Sequence, residues 1–304
     1  MLLNTRIPLR YLFKKTRAEI IFVSILTVVI SVTDEFFQVR EIAIPLAIPS
    51  ILGTAISLIL AFRTGQSYGR WWEARTVWGA IVNDSRTLLR QLLSFVQPPA
   101  EETHEATLLI KKITYRQIAW CYALGRSLRE QEVLKGLDTL LHPEDMALAK
   151  KHDNMPNALL QMHAADLKFI FQRSWINEYQ QIQLDETLTR LCDAMGKSER
   201  IKNTVFPATY SLIVHLFLYL FILLLPFGLV DELGFIQIPL VITVAMAFFL
   251  IEKTAIHLQD PFEKIPTDTP VTSIARTIEI NLKQMLNETQ VPGKIKPQED
   301  FYLL

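Results

Sequence analysis

Four long stretches of this sequence contain no Asp, Glu, Lys or Arg, and they constrain the fold more than any other feature. A helix that crosses a bilayer needs about 20 mainly apolar residues, because charged side chains are costly near the bilayer centre. Charged residues make up 20% of the 304-residue chain, so stretches that lack them stand out. The stretches are residues 20–33, 42–62, 203–230 and 233–251. They predict an all-α integral membrane protein with four transmembrane helices.

The connections between these stretches are short. Residues 34–41 separate the first two, and only Asp231 and Glu232 separate the last two. Each pair is therefore predicted to form a helical hairpin, with both hairpin tips on one side of the membrane. The first stretch has only 14 residues, a length that also suits a buried or interfacial helix. A signal peptide is a further alternative, but no small-residue cleavage site precedes Asp34.

Basic residues indicate which side of the membrane faces the cytoplasm. Of the 31 Lys and Arg residues, only Arg40 lies in a hairpin tip. The positive-inside rule then places the tips outside and both chain termini in the cytoplasm. The tips themselves are acidic and carry an external charge of −4 per chain, from Arg40 and the carboxylates of Asp34, Glu35, Glu41, Asp231 and Glu232.

The residues between the hairpins are predicted to form a separate domain. Residues 63–202 combine mixed charge with helical periodicity and are numerous enough for a cytoplasmic domain with its own core. The remaining parts are a cytoplasmic N-terminal segment (1–19), the first hairpin (20–62), the second hairpin (203–251), a C-terminal helical segment (252–290) and a tail expected to be mobile (291–304).

The sequence contains no recognisable catalytic or metal-binding motif. No Ser/His/Asp set, glycine-rich nucleotide loop or zinc-type spacing is evident, so we expect neither enzyme activity nor a cofactor, metal or nucleic-acid partner. Cys121 and Cys192 both lie in the predicted cytoplasmic domain, where thiols stay reduced, so no disulfide is expected. His215, in the third stretch, is a candidate gate or proton relay, or a neutral histidine bonded to a neighbouring helix.

Two rows of side chains distinguish the second stretch, in which helix is expected from about Ser50. Gly53, Ser57 and Ala61 recur every four residues and would let a neighbouring helix approach closely. One position along, a row of larger side chains consists of Thr54, Leu58 and Phe62. If copies of this helix surround an axis, the small row packs on the next copy and the larger row faces the axis. Ordinary packing inside one helical bundle is the alternative explanation for both rows.

Several blocks of this sequence resemble the bacterial branch of the bestrophin family, in the order in which that family has them. They cover nearly the whole chain: Phe62-Arg63, YGRWWEAR at 68–75, GKSERIKNT at 196–204, LPFGLV at 225–230, DPFE at 260–263 and RTIEINL at 276–282. The resemblance implies a homopentameric ion channel in a bacterial inner membrane, with one central pore. It also implies that Thr54, Leu58 and Phe62 form the pore neck and that Tyr179 forms a second, cytoplasmic constriction.

The resemblance further implies a channel for small monovalent ions, with chloride as the family default. The acidic run that holds calcium in animal members is missing after the DPFE block, so tight calcium gating is not expected. The acidic tips would concentrate cations at the external mouth, which keeps cation selectivity open. A membrane-anchored cytoplasmic scaffold without conduction is the alternative function.

Overall fold

The computed structural model of the protein describes residues 9–37, 44–204, 207–297 and 302–303, and every helix or strand element in these ranges is helical. The all-α prediction is therefore confirmed. The α-helices are α1 (Leu9–Phe37), α2 (Ala47–Phe95), α3 (Thr103–Leu128), α4 (Pro143–Ala149), α5 (Met155–Gln172), α6 (Glu178–Asn203), α7 (Ala208–Leu233), α8 (Gln237–Gln259) and α9 (Val271–Met285).

The described residues divide into two compact units. The apolar unit contains residues 9–71 and 207–260, and the polar unit contains residues 72–204, 261–297 and 302–303. Three helical stretches in the described ranges are long and apolar enough to cross a membrane: Thr16–Phe36, Ala47–Phe95 and Thr209–Gln259. The third of these includes both α7 and α8, which a 3₁₀ turn at Gly234–Ile236 separates.

Contacts near both ends of the apolar unit establish the directions of its four helices. The Gln237 side chain at the start of α8 donates to the Ser31 hydroxyl near the end of α1 (2.9 Å), whereas Lys253 near the end of α8 pairs with Glu19 near the start of α1. Helix α8 therefore runs antiparallel to α1. The start of α2 contacts Gly228 late in α7, and Arg63 further along α2 reaches Ser211 early in α7. Helices α2 and α7 are thus also antiparallel.

Three helices extend past the charged residues that end the uncharged stretches. Helix α1 has 29 residues, twice the length of the uncharged stretch 20–33. Helix α2 begins at Ala47 and passes through Arg63 without interruption. Helix α7 includes Asp231 and Glu232, so the connection to α8 lies three residues later, where Gly234 has a positive φ of 49°.

The polar unit is built around α3, which packs against α5, α6 and α9. Trp78, Trp120 and Trp175 are fully buried in its core. Arg116 on α3 is also buried, and its guanidinium donates to the carboxylates of Asp145 (2.8 Å) and Asp166. Because both partners approach one guanidinium, this buried cation is compensated, as buried charges must be.

The C-terminal segment belongs to the polar unit from Pro261 onward. Helix α8 extends to Gln259, so the predicted boundary at residue 252 falls inside a helix. After Pro261 the chain joins the polar unit, and α9 packs on α3. Arg276 on α9 donates to the carbonyl of Gly293 (3.5 Å), so the described start of the tail lies against α9. Mobility of the tail stays a prediction.

Buried His163 on α5 gives the polar unit a predicted dependence on pH. Neither ring nitrogen has a hydrogen-bond partner among the described residues, and burial, together with the charge of Arg116, lowers the pKa of His163 well below 6.5. The unfolded chain therefore binds one more proton than the folded chain below about pH 6.5, so stability falls as the pH falls. We expect a loss of up to about 1.4 kcal/mol per pH unit from this residue.

Thermal unfolding at pH 7.5 and pH 5 measures this effect. The H163M variant should lose less stability than the parent between the two values. The control variant H104Q replaces an exposed histidine and should behave as the parent does. Equal losses in H163M and the parent would contradict the assignment.

Candidate functional site

The larger row of α2 lies on the face of this helix that the rest of the described chain leaves exposed. Leu58 is 59% exposed and Phe62 is 63% exposed, and Thr54 is also exposed. Four-residue spacing places the three side chains one above the other on a helix surface. The structure therefore brings these residues together on one open face.

The hydroxyl of Thr54 is less available than its residue type suggests. Its Oγ1 donates to the carbonyl of Ser50, four residues earlier, at 2.9 Å. A threonine in this arrangement directs its hydroxyl proton to the helix backbone and leaves its methyl group on the outer surface. The polarity expected at this level of the row is correspondingly reduced.

The opposite face of α2 packs inside the same chain. Ile56 and Leu60 are buried in a cluster that includes Phe221 and Leu218 of α7. Gly53 belongs to this contact, because a Cβ at this position would lie 2.7 Å from Cε2 of the Phe221 ring. Packing within one chain thus requires a residue without a side chain at position 53, which is Gly53. At Gly53 the structure therefore contains the alternative explanation, which is packing inside one helical bundle.

Replacing Gly53 with alanine should therefore destabilise the apolar unit by about 1–3 kcal/mol, the usual cost of overpacking. The matched control is G65A on the same helix, because a Cβ at Gly65 meets nothing within 4 Å. Alanine also has the higher helix propensity, so G65A should be neutral or stabilising in unfolding of the chain. Thermal unfolding in detergent compares the two variants, and equal stability of G53A and the parent would contradict the Phe221 contact.

The exposed face of α2 differs in composition from those of α1 and α7. Exposed residues on α1 and α7 are predominantly large and apolar: Ile21, Phe22, Ile25, Val28 and Val29 on α1, and Leu212, Ile213, Leu216, Phe217 and Leu220 on α7. The exposed face of α2 instead mixes large residues with Ala55, Ser57, Ala61 and Gly65. Bulky apolar faces suit lipid, whereas small and polar residues suit contact with protein or water.

Immediately after Phe62, a buried ion pair connects α2 to the second hairpin. Arg63 and Glu252 are each 2% exposed, and Nη1 of Arg63 lies 4.0 Å from Oε1 of Glu252. Nη2 of Arg63 donates to the Ser211 hydroxyl (3.1 Å), and Nδ1 of His215 lies 3.0 Å from Oε1 of Glu252. The bonded histidine expected as an alternative for His215 is what the structure contains. The pairing of Arg63 with Glu252 was not predicted from the sequence, in which the two residues end separate apolar stretches.

Four of the five acidic tip residues lie at one end of the apolar unit. Asp34 and Glu35 are near the end of α1, and Asp231 and Glu232 are in the last turn of α7. The contact between Ser31 and Gln237 brings the end of α1 to the connection that follows α7. Glu41 lies outside the described residues. This end of the unit is therefore acidic.

Tyr179 belongs to the polar unit, at the second residue of α6, and is 81% exposed. A reciprocal cap fixes the start of this helix: the Asn177 side chain accepts from the Gln180 N–H, and the Gln180 side chain accepts from the Asn177 N–H, each at 2.9 Å. Such a capping box satisfies two backbone donors at a helix start. The tyrosine ring therefore projects from a well-anchored helix end.

Comparison with known proteins agrees with these features. The family model described as bacterial/fungal bestrophin protein matches residues 11–284. The chain belongs to this family. It is thus a membrane protein of the bestrophin family, as the sequence blocks predict, and that prediction is confirmed. In the described ranges, this bestrophin has no group of three or more His, Cys, Asp or Glu side chains placed to hold a metal ion.

Two curated relatives and one solved structure illustrate the similarity of this bestrophin to known members. The voltage-dependent anion channel-forming protein YneE of Escherichia coli K12 is 31% identical over 84% of this chain and 81% of its own length. A protein of Nostoc that is also named voltage-dependent anion channel-forming is 30% identical over 81% of this chain and 80% of its own. The crystal structure of a bacterial bestrophin homologue from Klebsiella pneumoniae superimposes with a TM-score of 0.83, at 28% identity, over 89% of this chain and 98% of that one.

Proposed function

We propose that this bestrophin forms an anion channel in the bacterial inner membrane, with both termini in the cytoplasm. The relatives named as anion channel-forming proteins support an anion as the permeant ion. The proposed assembly is a homopentamer in which α1, α2, α7 and α8 of each copy cross the bilayer. Passage of small monovalent ions along the axis does not require a catalytic group or a cofactor.

The open face of α2 is the observation that carries the proposal. A face that exposes Leu58 and Phe62 yet keeps small residues around them suits neither a uniform lipid contact nor a buried core. Around a symmetry axis, the same face would supply stacked rings of Thr54, Leu58 and Phe62 as the pore neck. Apolar rings of this kind gate a pore by excluding water. Ions would then pass only when the rings widen or become wet.

Efflux of chloride from liposomes tests the proposal directly. Purified protein reconstituted at increasing protein-to-lipid ratios should release chloride in proportion to the number of assemblies. Native mass spectrometry of the same sample should show five copies of the chain. A protein that assembles but releases no ions would support the membrane-anchored scaffold.

Tyr179 is proposed to form a second constriction on the cytoplasmic side of the pore. Replacing it with alanine removes an aromatic ring and should raise chloride flux if five rings narrow the path. The control is L148A, which removes another exposed apolar side chain from the polar unit. If Y179A and L148A leave the flux equally unchanged, Tyr179 does not limit conduction.

Cation selectivity is the second candidate, and the acidic end of the apolar unit favours it. Carboxylates grouped at a pore mouth raise the local concentration of cations and repel chloride. Screening over about 8 Å at physiological ionic strength limits their influence on an ion deeper in the neck. Neutralising Asp231 and Glu232 should therefore shift the reversal potential toward the chloride equilibrium potential only if the acidic end of the apolar unit takes part in ion selection.

A further inference from the structure

The polar unit contains a cavity of about 400 Å³ that the proposed conduction pathway does not use. Its walls come from α3, from the loop between α8 and α9, from the first turns of α9 and from the segment after residue 290. Thirteen of the described residues line it, of which five are basic and none is acidic: Arg126, Arg129, Lys264, Arg276 and Lys296. Chain segments far apart in sequence thus converge to place positive charge around one space.

Arg129 is held by the segment before α9 and by the first turn of that helix. Its Nη1 donates to the Thr272 hydroxyl at 2.8 Å, and its Nη2 lies 3.5 Å from the carbonyl of Thr269. Its Nε is buried and has no hydrogen-bond partner among the described residues. Burial lowers the pKa values of both Arg129 and Arg126, because water is removed from guanidinium groups without full compensation by acids. A buried donor without a partner carries a free-energy cost that an anionic ligand would remove.

The two lysines, Lys264 and Lys296, come from the loop before α9 and from the segment after it. In the described ranges, neither the Lys264 ammonium nor the Lys296 ammonium forms an ion pair. The backbone of Lys264 has a φ of 65°, and its N–H donates to Oδ2 of Asp268 at 2.5 Å, which holds the loop in place. Among the arginines, Arg276 pairs with Glu279 at 3.1 Å. Among the described residues, the acids whose charge acts on these five cations are Asp268 at Arg129, Glu132 at Arg126 and Glu279 at Arg276, so the cations outnumber them.

The start of α9 adds to this electrostatic field. Val271 and Thr272 are its first two residues, and both line the cavity. No side chain caps this end of the 15-residue helix. Uncapped backbone N–H groups and the positive end of the helix dipole stabilise a bound anion. Guanidinium groups contribute paired donors that match the oxygen spacing of a phosphate.

We infer that this cavity binds a small soluble anion of the phosphate class that carries two or more negative charges. The number of cations exceeds what a single chloride ion would compensate, and the volume is within the range of small-molecule sites. A bound anion would connect α3, the loop 260–270, α9 and the start of the tail. The site is independent of the proposed conduction, because every residue that lines it belongs to the polar unit.

Inorganic pyrophosphate is a suitable probe for the full-length protein in a zwitterionic detergent. Isothermal titration and thermal unfolding at constant ionic strength should show saturable binding and a rise in Tm that follows the bound fraction. The double variant K264Q/K296Q should raise the Kd at least about tenfold, which corresponds to about 1.4 kcal/mol. Since neither ammonium forms an ion pair in the described structure, the unfolding temperature without pyrophosphate should stay unchanged.

The matched control is K150Q/K151Q, which removes two exposed lysines outside the cavity. If the control raises the Kd as much as K264Q/K296Q does, binding follows net charge and the site is wrong. Absence of saturable binding to the parent protein also overturns the inference. Binding that persists in nanodiscs rich in phosphatidylglycerol supports a soluble ligand, whereas loss of binding there indicates that a lipid headgroup of the same chemistry takes the site. Neither result depends on whether the protein conducts ions.

Discussion

Chloride flux should increase on the order of tenfold when Leu58 and Phe62 are both replaced by alanine, which corresponds to about 1.4 kcal/mol off the barrier to permeation. Both side chains lie on the exposed face of α2, and truncation to alanine widens the proposed neck at two levels. A wider and less apolar neck is easier for water to fill. Fluorescence measurement of chloride efflux from liposomes, normalised to the number of reconstituted assemblies, quantifies the effect.

The control for this prediction is L212A/L216A. Leu212 and Leu216 are 67% and 63% exposed, so the two double variants remove similar exposed apolar area from the same unit. Their row lies on α7, whose bulky exposed face suits lipid, and its truncation should leave the flux close to that of the parent. If both double variants change the flux equally, or neither does, α2 is not the pore-lining helix.

Replacing Glu252 with alanine should destabilise the protein by about 3–5 kcal/mol, the largest stability effect that the structure predicts. The variant leaves the Arg63 guanidinium buried at 2% exposure without the carboxylate that faces it. It also removes the partner of Nδ1 of His215. The loss should appear as a lower unfolding temperature and as aggregation on size-exclusion chromatography in detergent.

A double variant without either charge separates the ion pair from other effects of the substitution. The variant R63M/E252L removes both charges and keeps similar volumes, so it should recover a large part of the stability that E252A loses. H215Q offers a weaker perturbation, because the His215 side chain is about half exposed. Stability of E252A equal to that of the parent would show that Arg63 and Glu252 do not interact in the membrane.

The features of α2 that sequence could predict are those that spacing alone determines. Thr54, Leu58 and Phe62 share a face of any helix that contains them, so their row did not depend on knowledge of the fold. The same holds for the reversal between α7 and α8, because a turn of a few residues between apolar helices forces the chain to reverse. In α7 the charged pair Asp231 and Glu232 located this turn to within a few residues of Gly234.

The features that sequence did not predict depend on contacts between distant parts of the chain. Arg63 and Glu252 are far apart in sequence, and no local pattern connects the ends of the two apolar stretches that they follow. Gly53 appeared to belong to a surface row until the ring of Phe221 was found against it. The cation-lined cavity requires α3, α9 and the tail to converge, and no local pattern indicates that convergence. His163 likewise has no sequence signature that separates it from the exposed histidines.

The reversal potential of single-channel currents tests the central claim most directly. Purified protein in a planar bilayer, with a tenfold gradient of sodium chloride, should conduct with a reversal potential near the chloride equilibrium value, about 59 mV from zero. The currents should grow in L58A/F62A and keep the same reversal potential. Absence of currents from correctly assembled protein, or a reversal potential of the opposite sign, would contradict an anion pore lined by α2.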